Sequence, residues 1–310
     1  MEEISQICGG KTMKRVKLIS GGVDSYIMSQ EYDGVNLYVD FGQSYAKEEI
    51  DALKNLGVEF DLITVDTKKS FDSQIFIPNR NLFLACLASL AYNPDEILLA
   101  GLRDDNCADK NAAEFERMGE LISRYAQKKV TLRSPYFNQS KGEIIANYRG
   151  DKSKLKDTFS CYYPKDGKPC GDCPACLRKA VALETNFVDS GITLTDRIVK
   201  EYLKKIHTYD IDRISRFFAY LKKRKPVIAI GIDGVLCEEK GCLETRKKIA
   251  DTKEYIKQDA YIILYTSRLE MDREITKEWL DKNGIYYDAL IMNKLPYTTL
   301  IDDRSYYEKP

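Results

Sequence analysis

KRVKLISGGVDSYIMSQEY, residues 14–32, decides how the chain is read. Residues 14–19 are a short apolar run of strand character, and YIMSQEY, residues 26–32, has helical character. Between them lies Ser20-Gly21-Gly22-Val23-Asp24-Ser25. The glycines let the backbone turn sharply, so that its N–H groups face one point. The start of the following helix adds partial positive charge, and Ser20 and Ser25 add hydroxyl donors. That combination makes a cradle for pyrophosphate. The alternative is an ordinary glycine-rich turn. The loop lacks the Gly-Lys-Ser/Thr ending of a Walker loop, so kinase-like chemistry is not expected.

Working outward, VNLYVD (35–40), EFDLITV (59–65) and EILLAG (96–101) read as strands. A charged helical pattern fills 45–56, a small-residue helix occupies 78–92, and a long amphipathic helix runs over 112–128. Strands alternating with helices predict an α/β fold, a parallel sheet with helices on both faces. No internal repeat or low-complexity segment interrupts it. At 310 residues the chain is long enough for two domains. It is 44% hydrophobic and 31% charged, the balance of a globular protein and not of a disordered one. Lys plus Arg and Asp plus Glu both number 48, and the resulting zero net charge argues against a bulk polyanion binder. No apolar run reaches the ~18 residues of a membrane span. Residues 1–15 carry mixed charge and no apolar core of a secretory signal, so a cytoplasmic protein is expected.

Four of the nine cysteines are clustered in FSCYYPKDGKPCGDCPACLRKA: Cys161, Cys170, Cys173 and Cys176. Two overlapping Cys-x-x-Cys spacings let the last three converge, with Gly171 and Pro174 supplying turns, and Cys161 arrives from a preceding loop. Four thiolates around one ion are the ligand set of a tetrahedral structural zinc. The alternatives are a redox Cys-x-x-Cys pair or free thiols. Cys8, Cys86, Cys107, Cys237 and Cys242 have no spacing that demands a role. His207, the single histidine, reads as surface or linker.

Residues 192–225 look helical and basic, with ten Lys/Arg against four Asp/Glu from 196 onward, and they read as a solvated helix and linker. Lys222-Lys223-Arg224-Lys225-Pro226 is the best boundary signal. A new strand, VIAIGIDG, follows it and opens a second alternating segment. The expected organisation is an N-terminal extension (1–13), a nucleotide-binding domain (14–190), a basic helical linker (191–225) and a smaller domain (226–310).

SGGVDS resembles the loop of the N-type ATP pyrophosphatases, which adenylate a substrate and release pyrophosphate. Among their branches the motifs are most similar to 7-cyano-7-deazaguanine synthase. VDFGQ (39–43), IPNRN (77–81), GLRDDNCADKNAAEF (101–115), SPYFNQSKGEII (134–145) and the cysteine segment each resemble a stretch of that family, together covering about residues 14–190. The substrate loop departs from the family: its aspartates are matched by Asp105 and Asp109, but the Tyr-Pro and Arg are missing.

The resemblance implies a Rossmann-like adenine-nucleotide alpha-hydrolase fold with a zinc knuckle. It also implies ATP-dependent conversion of 7-carboxy-7-deazaguanine and ammonia to a nitrile, through an acyl-adenylate and an amide, feeding queuosine or deazaguanine base modification. Ser20, Gly21, Gly22, Val23, Asp24 and Ser25 would hold the ATP phosphates, with Asp24 also near Mg²⁺, directly or through water. Gln43 and Arg80 would flank the nucleotide, and Lys141 would neutralise charge in the transition state. Ser20, Asp24, Ser25 and Lys141 are thus the catalytic candidates, and Asp105 and Asp109 the readers of the guanine-like edge; surface charge is the alternative for Asp105, Asp109 and Lys141. The partners implied are ATP, the deazaguanine carboxylate and ammonia, with no membrane or direct nucleic-acid contact; a homodimer is compatible with this reading. Three other outcomes stay open: a ligase stopping at the amide, a non-catalytic nucleotide-binding regulator, and a tRNA-thiolation enzyme.

From 226 onward the chain resembles a small haloacid-dehalogenase-like (HAD-like) α/β domain. Ile230-Gly231-Ile232-Asp233-Gly234 is similar to the family's opening motif, Thr266 to the second, Lys294 to the third, and Asp302-Asp303 to the fourth. Gly231 stands where that family has its nucleophilic Asp. Glycine can neither form an aspartyl-phosphate nor bind magnesium, so the implied domain is inert as a phosphatase.

Overall fold

The computed structural model describes residues 13–66, 77–105 and 107–294. The chain divides into two units. The first comprises residues up to Ile198 together with Asp210–Phe217, and the second comprises Val199–Tyr209 and the chain from Phe218 onward.

The first unit is built on a five-stranded parallel sheet in the order β3-β2-β1-β4-β5. Its strands are β1 (Arg15–Leu18), β2 (Val35–Asp40), β3 (Asp61–Thr64), β4 (Glu96–Leu99) and β5 (Thr131–Arg133). The helices between them are α1 (Val23–Glu31), α2 (Ala46–Asn55), α3 (Arg80–Tyr92) and α4 (Ala112–Ala126); α5 (Lys141–Asn147) and α6 (Pro174–Glu184) follow β5. Apolar side chains alternate between the two faces of each strand. Tyr38 and Leu98 face a core shared with Tyr26, Ile27, Ile144 and Leu183. Val16, Leu18, Leu37 and Ile97 face the other, with Ala85, Phe115 and Ile122 of α3 and α4.

One strand residue breaks this pattern usefully. Lys17 is 3% exposed in the central strand. Burial lowers its pKa. Its ammonium is accepted by the carbonyls of Ser29 at 3.1 Å and Tyr32 at 2.5 Å, where α1 ends. A cation at the negative end of a helix holds α1 against the sheet.

The strand order positions the site. The chain moves outward from β1 to β2 and β3, then crosses back to β4 on the other side of β1. The order reverses between β1 and β4, and in open parallel sheets the crevice at the carboxyl ends beside such a reversal receives ligands. Residues 20–25 leave β1 there, and residues 100–105 leave β4 beside them.

The second unit holds a three-stranded parallel sheet, β6 (Val227–Ile230), β7 (Tyr261–Tyr265) and β8 (Ala289–Ile291), in that order. Ile230, Ile262, Leu264 and Leu290 pack with Trp279 and Leu280 of α10 (Arg273–Lys282). The short α9 (Lys253–Ile256) precedes β7. Residues 191–225 contain α7 (Asp196–Lys204) and α8 (Ile211–Leu221), each running from one unit into the other. Among the described residues no helix is long and apolar enough to cross a membrane.

Candidate active site

The Ser20–Ser25 loop is held in shape by its own hydroxyls. The Ser20 N–H donates to Ser25 Oγ at 3.1 Å, Ser25 Oγ donates to the Gly22 carbonyl at 3.0 Å, and the two hydroxyls stand 3.4 Å apart. Gly22 caps α1 without a capping side chain, so no side chain covers the helix's first N–H groups. Close approach requires glycine at 21 and leaves little room for a side chain at 22. Gly21 has φ +72°, and a Cβ there would lie 2.8 Å from the Glu49 carbonyl oxygen. A Cβ on Gly22 would lie 3.3 Å from Ser160 Oγ. The Phe159 N–H donates to the Gly21 carbonyl at 2.8 Å, so the segment entering the cysteine cluster also braces the loop.

Lys141, the first residue of α5, places Nζ 2.6 Å from both Asp24 oxygens. Two candidates 117 residues apart in sequence therefore meet, and both side chains are largely buried. Ser140 caps α5 in a capping box with Glu143, and its hydroxyl donates to Asp212 Oδ2 at 2.6 Å.

Asp105 is occupied within the protein. It accepts the Leu102 N–H at 3.1 Å, Lys110 Nζ at 2.8 Å and Arg178 Nη1 at 2.6 Å. Burial pushes its carboxyl up, but Lys110 and Arg178 outweigh that and hold it well below the ordinary carboxylate range. Its oxygens thus serve the loop, whereas a substrate reader needs them open. Asp109 accepts Asn81 Nδ2 at 3.0 Å.

Gln43 lies buried under the loop. Its Oε1 accepts the Phe41 N–H at 3.0 Å, and its Nε2 donates to the Tyr38 hydroxyl at 2.8 Å, which in turn donates to Glu49 Oε2 at 2.8 Å. The Arg80 charge acts on both Tyr45 and Glu49. Burial pushes the Glu49 carboxyl up to about 8. Glu49, Asp104 and Arg178 were not singled out by the sequence. Arg178 and Asp104 had a signal, since they fall within the cysteine segment and within GLRDDNCADKNAAEF; Glu49 is an acidic residue in a charged stretch, with nothing local to mark it.

The four clustered cysteines converge, with their sulfurs all within 4.8 Å of one another. Four sulfurs at about 2.3 Å from a tetrahedral zinc stand about 3.8 Å apart, so the set fits that ion. Backbone N–H groups of Tyr163, Cys170, Asp172 and Cys176 donate to Sγ of Cys161, Cys161, Cys170 and Cys173 at 3.2–3.4 Å, bonds that favour thiolates. Gly171, at φ +67°, passes so close to the Thr193 carbonyl that no side chain would fit. Cys173 also caps α6, which carries Arg178 and Lys179.

In the second unit Asp233 is filled by cations. Arg268 Nε lies 3.2 and 3.0 Å from its two oxygens and Nη2 2.7 Å from Oδ1, while Arg246 Nη1 also donates to Oδ1. Thr266 Oγ1 is 3.4 Å from Oδ2. The Lys294 N–H donates to the Thr266 carbonyl at 2.9 Å, and its ammonium lies over the Tyr265 ring. A Cβ on Gly231 would lie 3.2 Å from Val235 Cγ2. Asp302 and Asp303 lie outside the described residues.

Comparison with known proteins places the first unit among known relatives. A family model described as queuosine biosynthesis protein QueC matches residues 61–187. A 7-cyano-7-deazaguanine synthase of Leptospira interrogans (serovar Lai) is 30% identical over 218 residues, spanning 58% of this chain and 88% of that protein. Those of Methanococcus aeolicus and Psychromonas ingrahamii are 26% and 25% identical, spanning 58% and 59% of this chain and 97% and 98% of those proteins.

Two outcomes follow from the buried groups and the cysteines. Because the folded Glu49 pKa lies above its unfolded value of about 4.5, its folded state holds a proton that the unfolded state gives up. Its contribution is present below pH ~4.5 and is lost as pH rises to about 8. Glu49→Gln is therefore expected to gain stability relative to the parent across that window, by several kcal/mol in order of magnitude. Urea denaturation of both proteins at pH 5 and pH 8.5 measures the difference, and an equal gap at both pH values contradicts it. Comparing the pair cancels Lys179, whose pKa burial lowers to about 8. Separately, a strong chelator is expected to remove one zinc per chain and to lower the melting temperature; mass spectrometry finding no bound metal would contradict the cysteine assignment.

Proposed function

The chain belongs to the 7-cyano-7-deazaguanine synthase family, and from that membership we propose that its first unit uses ATP and ammonia to turn 7-carboxy-7-deazaguanine into 7-cyano-7-deazaguanine. The carboxylate oxygen attacks the α-phosphorus of ATP, and pyrophosphate leaves. Ammonia then attacks the acyl carbon, AMP leaves, and a proton is lost to give the amide. The amide oxygen attacks the α-phosphorus of a second ATP, pyrophosphate leaves again, and loss of AMP and of both N–H protons yields the nitrile. Carboxylate and amide oxygens are poor leaving groups, and adenylation corrects that twice. The product would feed queuosine or another deazaguanine modification.

The observation that carries this reading is the meeting of Lys141 with Asp24 at the mouth of the glycine loop. In the proposed role, N–H groups of residues 20–25 and the start of α1 hold the phosphates, with the Ser20 and Ser25 hydroxyls. Lys141, freed from Asp24 by arriving phosphate, stabilises the charge that grows on pyrophosphate. Magnesium would supply further neutralisation, with Asp24 as the loop carboxylate to hold it. Gln43 and Arg80 act from beneath, by fixing Tyr38, Tyr45 and Glu49 under the loop. Asp109 stays in place as the reader of the guanine-like edge, while Asp105, with its oxygens taken, shapes the loop that presents it.

We propose that the second unit is an HAD-like domain without phosphatase turnover. Gly231 offers no nucleophile. Two guanidinium groups occupy Asp233, the carboxylate that would otherwise face a cation.

The test of the first reading is incubation of the full chain with 7-carboxy-7-deazaguanine, ammonium and ATP, followed by mass spectrometry. The nitrile and two AMP per turnover are expected, and Lys141→Ala is expected to lower kcat by about 10²-fold. AMP with the amide alone would show a ligase that stops halfway, and no AMP at all would overturn the reading. For the second unit, p-nitrophenyl phosphate hydrolysis is expected to be absent with or without Mg²⁺. Gly231→Asp is expected not to restore it, because Arg268 and Arg246 still fill Asp233; recovered turnover in that variant would contradict the account.

A further inference from the structure

We infer that Asp104 is a positioning residue that sets Lys141 against Asp24 and ties it to the cysteine-bearing helix. Its kinetic consequence rests on the function proposed above, while its structural consequence does not. Asp104 lies in the turn after β4 and is 6% exposed. Its Oδ1 receives two donors from different elements. One is the backbone N–H of Lys141 at 3.2 Å, and the other is Arg178 Nη2 at 3.0 Å. Its carbonyl oxygen accepts Arg178 Nη2 and Arg213 Nη1, both at 3.3 Å.

Each bond has a reason. The first N–H groups of a helix have no partner inside it. In α5 the Ser140 hydroxyl takes the Glu143 N–H, and the Glu143 carboxylate takes the Ser140 N–H. The N–H of Lys141 is left over, in a residue only 9% exposed, and Asp104 supplies its acceptor. Arg178 comes from α6, two residues beyond the zinc-ligand candidate Cys176. Its Nη1 is taken by Asp105 and its Nη2 by Asp104, while its Nε is buried without a partner. Among the described residues the guanidinium is thus held at its outer edge, by these two carboxylates and the Asp104 carbonyl oxygen. A continuous path runs from α6 through Arg178 and Asp104 to the Lys141 backbone, and through the Lys141 side chain to Asp24 in the loop. Asp104 acts on Lys141 from behind and reaches the loop only through it.

The experiment uses the full zinc-loaded chain. Acetylation by a limiting amount of an N-hydroxysuccinimide ester is followed lysine by lysine with peptide mass spectrometry. Asp104→Ala and Asp104→Ser, whose side chains cannot reach the Lys141 N–H, are expected to speed acetylation of Lys141 by about fivefold, since its ammonium loses its close charge-assisted bonds to Asp24. Buried Lys17 should keep its parental rate. Asp104→Asn retains an oxygen acceptor and should stay near the parent. Unchanged Lys141 labelling in both short variants overturns the inference, as does a uniform increase at all lysines. In the kinetic arm, Asp104→Ala is expected to lower kcat for AMP release by about tenfold with little change in the KM for ATP, and to add almost nothing in a Lys141→Ala background. Losses that multiply would show that Asp104 does not work through Lys141. A parent chain that releases no AMP would count against the proposed function, and the labelling result would still decide the placement.

Discussion

A single ion pair organises the site: the Lys141 ammonium, 2.6 Å from each oxygen of Asp24, at the start of α1. Both partners are largely withdrawn from water, so their attraction is little screened, and neither tolerates loss of the other. The pair fixes the mouth of the glycine loop. In the proposed function it also supplies the cation that phosphate would draw away. The loop itself can be tight because Gly21 passes against the Glu49 backbone and Gly22 against Ser160.

The rest of the first unit places the two ends of that pair. The strand order brings the loops after β1 and β4 to one crevice, and the turn after β5 delivers Lys141. The cysteine cluster stands apart from this chemistry but governs its walls. From α6, Arg178 holds Asp104 and Asp105 on one side. On the other, buried Lys179 donates to the carbonyls of Lys156 and Thr158, just before Phe159 bonds the Gly21 carbonyl. A metal held by the four thiolates would therefore act by setting the register of α6.

Local features were legible in the sequence. The SGGVDS loop, the Cys-x-x-Cys spacings and the strand-helix alternation depend on residues close together in the chain, and the strand expected at 35–40 is β2, Val35–Asp40. The short elements after residue 130, β5 and α5, were not read, because three to seven residues carry too little periodicity. Pairings across the chain were not legible either. Asp104 meets Lys141 from 37 residues away, and Arg178 reaches back 74 residues to Asp104. The motif pattern brought Asp105 forward, and only the fold shows that Lys110 and Arg178 already occupy it. In the second unit the missing nucleophile at Gly231 was plain, but the guanidinium groups filling Asp233 depend on Arg246 and Arg268, and their direction is set by tertiary packing.

The most direct measurement is isothermal titration of the full chain with a non-hydrolysable ATP analogue, alongside Gly21→Val, whose side chain would collide with the Glu49 backbone and distort the loop. Saturable binding to the parent at a single site, with loss of that heat in Gly21→Val and zinc retained in both, is the result this account requires. No heat with the parent, or equal affinity in the two proteins, would show that residues 20–25 do not hold the nucleotide.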